Sequence, residues 1–316
     1  AKKEKKPFNT RELAMKQEYI YEDTVMGCEL SVSLVTDDES YAKEAYTHML
    51  SMARAYDAQF SRFIQDSELS RLNQIKDMLV SDECVAVLRL GRELYEKTNG
   101  AFNPLVQVAR YGYDTDIESV RLTERGADEP SDPYDTNFSL VTIEQNRVAL
   151  SLGQMVDVGG YLKGYVAERM VALAEKAFGV IVNLGGDIYT RGRDEYNNPF
   201  QFDIENPHSA HSSISFTYEN GAIATSGVYR RLWSRGGAPF HHILDASGTR
   251  NPDSDLISAT VLAKRGYDAE AYATAVLVLG SKKGEQLLRE GGTEYCLIRN
   301  DGTLITSPTF SARIAS

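Results

Sequence analysis

The sequence predicts an α+β fold in which strands and helices share one architecture without repeating as β-α-β units. Three observations carry that expectation. Apolar residues recur with a two-residue period at 25–36 and across 198–225, and with a helical period at 40–60, 81–98, 161–178 and 268–290. No helix regularly separates consecutive strands, as a doubly wound sheet would require. The 316 residues, 42% hydrophobic and 25% charged, suffice to bury a core. The expected organisation is a flexible segment over 1–20 followed by a single domain over 21–316.

The elements follow in order. The first ten residues, AKKEKKPFNT, are basic and carry no apolar pattern. Residues 25–36 (VMGCELSVSLVT) alternate and read as a strand. Asp37-Asp38-Glu39-Ser40 offers N-cap oxygens to a helix whose Ala45, Met49, Met52, Ala53, Tyr56 and Phe60 fall on one face. A second helix, 81–98, ends at Asn99-Gly100. Residues 114–136, rich in Asp, Glu, Pro and Gly, read as a surface loop. Short strands at 139–143 and 147–151 lead to a glycine-rich turn and a helix over 161–178 closed by Gly179. VIVNL, 180–184, reads as a buried strand, and 198–205, 213–218 and 220–225 as further strands with a turn at Glu219-Asn220-Gly221. A helix pair over 268–279 and 281–290 precedes a hairpin over 294–306 around Asn300-Asp301-Gly302.

Composition narrows the function. A net charge of −11 and a pI near 5.1 argue against a nucleic-acid partner, which needs clustered Lys and Arg. A phosphate-bearing small molecule stays open if a local cation or glycine-rich loop meets its charge. Cys28, Cys84 and Cys296 are far apart and form no C-x-x-C pair, which favours three separate thiols over a zinc site or a disulfide. No stretch approaches the ~20 apolar residues of a membrane span, and no apolar run follows the basic start.

Four polar, glycine-rich segments carry the chemistry. Asp157-Val158-Gly159-Gly160-Tyr161-Leu162-Lys163-Gly164-Tyr165 lets the backbone approach a ligand at a helix start, where an anion is favoured and Lys163 adds a point charge. It matches neither the Walker nor the dinucleotide-fold glycine pattern, and a tight turn with a solvated lysine fits it equally well. Asn183-Leu184-Gly185-Gly186-Asp187 closes a strand and reads as a ligand loop or a simple Asx turn. Ala224-Thr225-Ser226-Gly227 precedes His241-His242-Ile243-Leu244-Asp245, where two adjacent histidines in a strand point to opposite faces, so at most one faces a given site. In the helix from Asp268, Glu270 and Thr274 share a face one turn apart, an oxygen pair suited to Mg²⁺ or a solvated glutamate beside a back-bonded threonine. The apolar neighbours Ala271, Ala273, Ala275, Val276 and Leu277 leave that carboxylate in want of a partner.

The order of these segments resembles the ApbE family of FAD:protein FMN transferases. The likeness runs from Met26-Gly27 through Phe60-Ser61-Arg62-Phe63, Asp66-Ser67-Glu68-Leu69-Ser70-Arg71-Leu72-Asn73 and Gly100-Ala101-Phe102-Asn103. It continues through the four polar segments to Ala273-Thr274-Ala275 and covers nearly the whole chain. The resemblance implies a T-fold-like arrangement of mixed sheets and helices in two lobes around a flavin cleft. It implies Mg²⁺-dependent transfer of FMN from FAD to a threonine of an acceptor protein, releasing AMP. Hydrolysis of FAD, or flavin binding without turnover, are the alternatives. Met26, Phe63, Ala101, Phe102, Asn103, Asp157, Lys163 and Ile243 would contact FAD, and Gly160, Glu270, Ala273 and Thr274 would hold magnesium. His242 would serve transfer. Relatives are commonly exported lipoproteins, so an extracytoplasmic location with an N-terminal lipid anchor is implied as well. The chain departs from the family pattern at Glu270 and Asn103, where Asp is usual, and at Phe63, where Tyr is. Val228 and Ala246 stand where Asp and Pro are common.

Overall fold

A computed structural model describes residues 16–115, 117–123, 126, 134–209 and 212–314. Strands β1 (Gln17–Val25) and β2 (Cys28–Thr36) form a hairpin whose turn, Met26-Gly27, has positive φ at both residues, 55° and 68°. Helix α1 (Glu39–Phe60) starts at Asp38, whose carboxylate accepts the Tyr41 N–H. Then come α2 (Glu68–Ile75), β3 (Asp77–Leu79), α3 (Asp82–Lys97), α4 (Ile117–Leu122), β4 (Thr142–Glu144) and β5 (Arg147–Ala149). The middle of the chain holds α5 (Leu162–Leu173), β6 (Gly179–Leu184), β7 (Asp187–Gly192), β8 (Phe200–Glu205), β9 (Ser213–Tyr218) and β10 (Gly221–Gly227). The rest comprises β11 (Leu232–Arg235), β12 (Ala238–His241), β13 (Leu256–Ala263), α6 (Gly266–Glu290), β14 (Glu294–Arg299), β15 (Leu304–Thr306) and α7 (Pro308–Ser311).

The mixed architecture matches the expected class. An open antiparallel sheet of order β1-β2-β6-β7-β10-β13-β14-β15 forms the centre. The two-residue period sorts its side chains. Leu30, Val32 and Leu34 of β2 face the core under α1, α5 and α6, while Val35 joins Phe200, Phe202, Ile204 and Phe216 on the opposite face. The β8–β9 hairpin and α7 cover that second face. A fully buried Leu such as Leu30 or Leu34 contributes roughly 1.5–3 kcal/mol, so one-face helix packing and one-face hairpin packing together explain the sheet's stability.

Two features position the site. At the start of α5 and α6 the backbones cross at glycines: a Cβ on Gly164 would lie 2.3 Å from the Gly266 carbonyl oxygen, and one on Gly266 would lie 1.9 Å from that of Gly164. Only glycine permits this approach. Helix α6 breaks at Gly280 (φ 75°, ψ 170°), where the expected helix pair divides. Asp255 caps the second half, accepting the Ser281 N–H at 2.7 Å and hydroxyl at 2.6 Å.

Some expectations change. Residues 17–20 are not flexible but belong to β1, because Tyr19 and Tyr21 pack against the core on either side of an exposed Ile20; residues 1–15 lie outside the described residues. The loop over 114–136 contains α4, with Val120 buried, and part of it lies outside the described residues. Helix α5 stops at Leu173 rather than 178. The three cysteines are free thiols, Cys84 and Cys296 buried and Cys28 half-buried.

Candidate functional site

A cleft of about 1310 Å³ opens beside the β1–β2 turn, bounded by residues 61–64 and 101–104, the start of α5, the first half of α6, the end of β10 and residues 229–231 and 242–244. That exceeds the roughly 300–1,000 Å³ of ordinary small-molecule pockets and leaves room for a dinucleotide. Met26, Phe63, Ala101, Phe102, Asn103, Asp157, Gly160, Lys163, His242, Ile243, Glu270 and Thr274 all line it. Ala273 does not: it is fully buried in the core beneath α6.

The walls are shaped by local bonds. Met26 presents its backbone at the turn, its N–H bonded to Asp57 Oδ2 at 3.1 Å. Phe63 is 62% exposed at the rim, an aromatic face free to stack, with the Arg62 guanidinium 4.6 Å from its ring. Arg62 also pairs with Asp157 Oδ2 at 3.4 Å, while Asp157 Oδ1 accepts the Gly159 N–H at 2.9 Å. Asn103 holds its own loop, accepting the Leu105 N–H and donating to the Thr136 carbonyl. Gly160 needs its missing side chain, since a Cβ would come within 2.9 Å of the Phe102 ring.

The charged floor differs from the sequence reading. Lys163 is not solvated. Its ammonium lies 2.6 Å from Asp187 Oδ2 and bonds Glu270 Oε1, while Glu270 Oε2 accepts the Gly164 N–H at 3.0 Å. The glutamate that wanted a partner has one from a residue 107 positions away. Burial alone would lower the Lys163 pKa, but Asp187 and then Glu270 outweigh it and hold it above its ordinary value. Burial, and then Asp187, raise the Glu270 pKa against the pull of Lys163. Asp187 was not among the expected ligand groups; its motif was visible, but nothing in the local spacing tied its carboxylate to Lys163. One turn along, the Thr274 hydroxyl lies 3.0 Å from Ser226 Oγ.

One histidine of the pair faces the cleft, as expected, although the two do not share a strand: β12 ends at His241, and His242 follows it. His241 is engaged by Asn251, whose Nδ2 lies 3.3 Å from its Nδ1. His242 lines the cleft, and its buried Nδ1 has no hydrogen-bond partner. Burial, and then the nearby charges of Arg231, His241 and Lys163, push its pKa down to about 3, so the ring is neutral near pH 7. A neutral imidazole nitrogen without a partner costs about 1–3 kcal/mol if merely structural, which marks it as a functional candidate.

The same segments have known relatives. The ApbE family pattern matches residues 26–297. A FAD:protein FMN transferase of Klebsiella pneumoniae (strain 342) is 26% identical over 299 residues, covering 90% of this chain and 85% of its own length. One from Vibrio cholerae serotype O1 is 30% identical over 243 residues, 72% and 70% of the two chains. Among solved structures, the flavin transferase ApbE from Vibrio cholerae superposes with a TM-score of 0.78 at 23% identity, covering 94% of this chain and 99% of its own. The ApbE protein from Thermotoga maritima superposes with a TM-score of 0.82 at 23% identity, covering 95% and 100%. With the match spanning the cleft's turn, loops and helices alike, the chain belongs to the ApbE family.

Proposed function

We propose that this chain transfers the FMN half of FAD to a threonine hydroxyl of an acceptor protein and releases AMP. The observation that carries it is the neutral His242, with its Nδ1 unpartnered, facing a dinucleotide-sized cleft whose floor holds Lys163. The threonine oxygen attacks the FMN-side phosphorus, the bond to the bridging pyrophosphate oxygen breaks, and AMP leaves with that electron pair. His242 takes the hydroxyl proton, with the bound pyrophosphate's negative charge offsetting the Arg231 and Lys163 charges that disfavour the imidazolium in the free protein. Phe63 offers the flavin or adenine a stacking face, and Lys163 offers the pyrophosphate a positive charge.

The donor set suits magnesium. Glu270 and Thr274 stand one turn apart, with Ser226 beside Thr274, and all present hard oxygens. Among the described residues no group of three or more His, Cys, Asp or Glu forms a metal cluster. The ion would therefore rest on Glu270, Thr274, the Gly160 carbonyl and substrate phosphate, as magnesium sites commonly do. Bound there, it would supply charge neutralisation at the pyrophosphate.

Covalent, fluorescent flavin on an acceptor threonine, formed with FAD and Mg²⁺, tests this reading. FMN and AMP released without acceptor would replace it with FAD hydrolysis. We further propose an extracytoplasmic protein held by an N-terminal lipid anchor, in keeping with its family. No helix among the described residues is long and apolar enough to cross a membrane. Recovery of the native protein solely from the cytosolic fraction would reject this location.

A further inference from the structure

The floor of the cleft poses a competition. Lys163 comes from the first turn of α5, Glu270 from the first turns of α6 and Asp187 from the start of β7, and their side chains are only 15%, 5% and 11% exposed. Two carboxylates converge on one ammonium, and the second oxygen of Glu270 is engaged by a backbone N–H. A divalent cation reaching Glu270 must share that carboxylate with the ammonium, and two cations held close in a poorly solvated floor repel each other. A bound pyrophosphate changes the balance, because it brings two negative charges with oxygens enough for both cations.

We propose that Lys163 is the resident cation of the Asp187–Glu270 pair, and that FAD, by drawing the ammonium onto its pyrophosphate, opens Glu270 to the divalent cation. The proposal rests on reading the cleft as an FAD site. Asp187 is then a positioning residue that holds Lys163 until the substrate arrives. A ligand shifts such an equilibrium only through its different affinity for the two arrangements, and the coupling is reciprocal: FAD tightens the metal by the same factor as the metal tightens FAD.

The test uses Mn²⁺, whose free concentration is read by electron paramagnetic resonance, without acceptor and with Mn²⁺–FAD in buffer as the control. Wild-type protein binds Mn²⁺ weakly on its own, and FAD tightens binding by roughly five- to 150-fold. In Lys163→Met, Mn²⁺ binds about tenfold or more tighter than in wild type without FAD, and the coupling to FAD collapses. Mn²⁺ binding to Lys163→Met no tighter than to wild type overturns the proposal. If that variant does not fold, Lys163→Gln keeps a hydrogen-bonding side chain in the floor, removes only the positive charge and leaves Glu270 in place. Tighter Mn²⁺ binding without FAD then supports the proposal, and unchanged or weaker binding overturns it. Flavin-fluorescence titration of wild type separates the two readings. Absence of FAD binding removes the FAD site, whereas the comparison of Mn²⁺ affinities without FAD still decides whether Lys163 is the resident cation.

Discussion

Each half of α6 is tied to the rest of the fold through a carboxylate, Asp255 from outside the helix and Glu270 from within it, and the two are used differently. At the Gly280 break, Asp255 is 48% exposed, takes two hydrogen bonds from Ser281 and pairs with Arg299 at 3.2 Å. Burial opposes the charge, but the Ser281 bonds and Arg299 hold its carboxyl below the ordinary value. At the cleft end, Glu270 is buried, shares one ammonium with Asp187, and has its pKa raised. A carboxylate with more donors than it needs is a fixed structural joint. One that shares too little positive charge with a neighbour is ready to change partners.

The difference can be broken first at the cleft. His242→Ala is expected to slow flavin transfer by about 10²–10⁴-fold, measured by in-gel flavin fluorescence at saturating FAD. Retention of wild-type transfer would remove the imidazole from proton transfer. Next, Lys163→Met leaves two carboxylates buried without their cation and is expected to cost about 3–5 kcal/mol in denaturant unfolding, partly recovered by added Mn²⁺. A loss smaller than that of an exposed ion pair would mean the floor is well solvated. Asp255→Ala at the break is expected to cost about 1–2 kcal/mol and to leave FAD affinity unchanged. Altered FAD affinity there would join the two halves into one functional unit.

A further effect concerns pH. His242 has a folded pKa near 3 against an ordinary 6.5, so below 6.5 the unfolded chain takes up a proton that the folded chain refuses. Stability is therefore full above pH 6.5 and falls as pH drops toward 3. The slope should be shallower in His242→Ala than in wild type, as thermal melts across that range would show. His241, lowered to about 4 by burial, contributes in the same direction.

Much of the fold could be read from local pattern, and the unread part is tertiary in origin. The helix of 40–60, the glycine between 279 and 281 and the Asn300-Asp301-Gly302 turn carry their signals in adjacent residues. Strand β13, LISATVLA, is almost wholly buried, so it lacks the alternation that exposes a strand. Strand β1 lacks a clean alternation, because Glu18, Glu22 and Asp23 fall on both faces beside half-buried tyrosines. The site divides the same way. Glu270 and Thr274 declare their shared face by helical spacing, and the histidine pair declares that only one ring enters the cleft. That Lys163 belongs to Asp187 and Glu270 has no local signature, because β7, α5 and α6 supply one residue each.

The crossing of Gly164 and Gly266 gives this site an unusual kind of dependence. Both residues are uncharged, yet their bare backbones set how close Lys163 and Glu270 stand. An alanine at either position would wedge the helices apart and weaken the ion pair without replacing an ionisable group. A purely steric change at either glycine therefore retunes the electrostatics of the cleft floor while every acid and base in it stays in place.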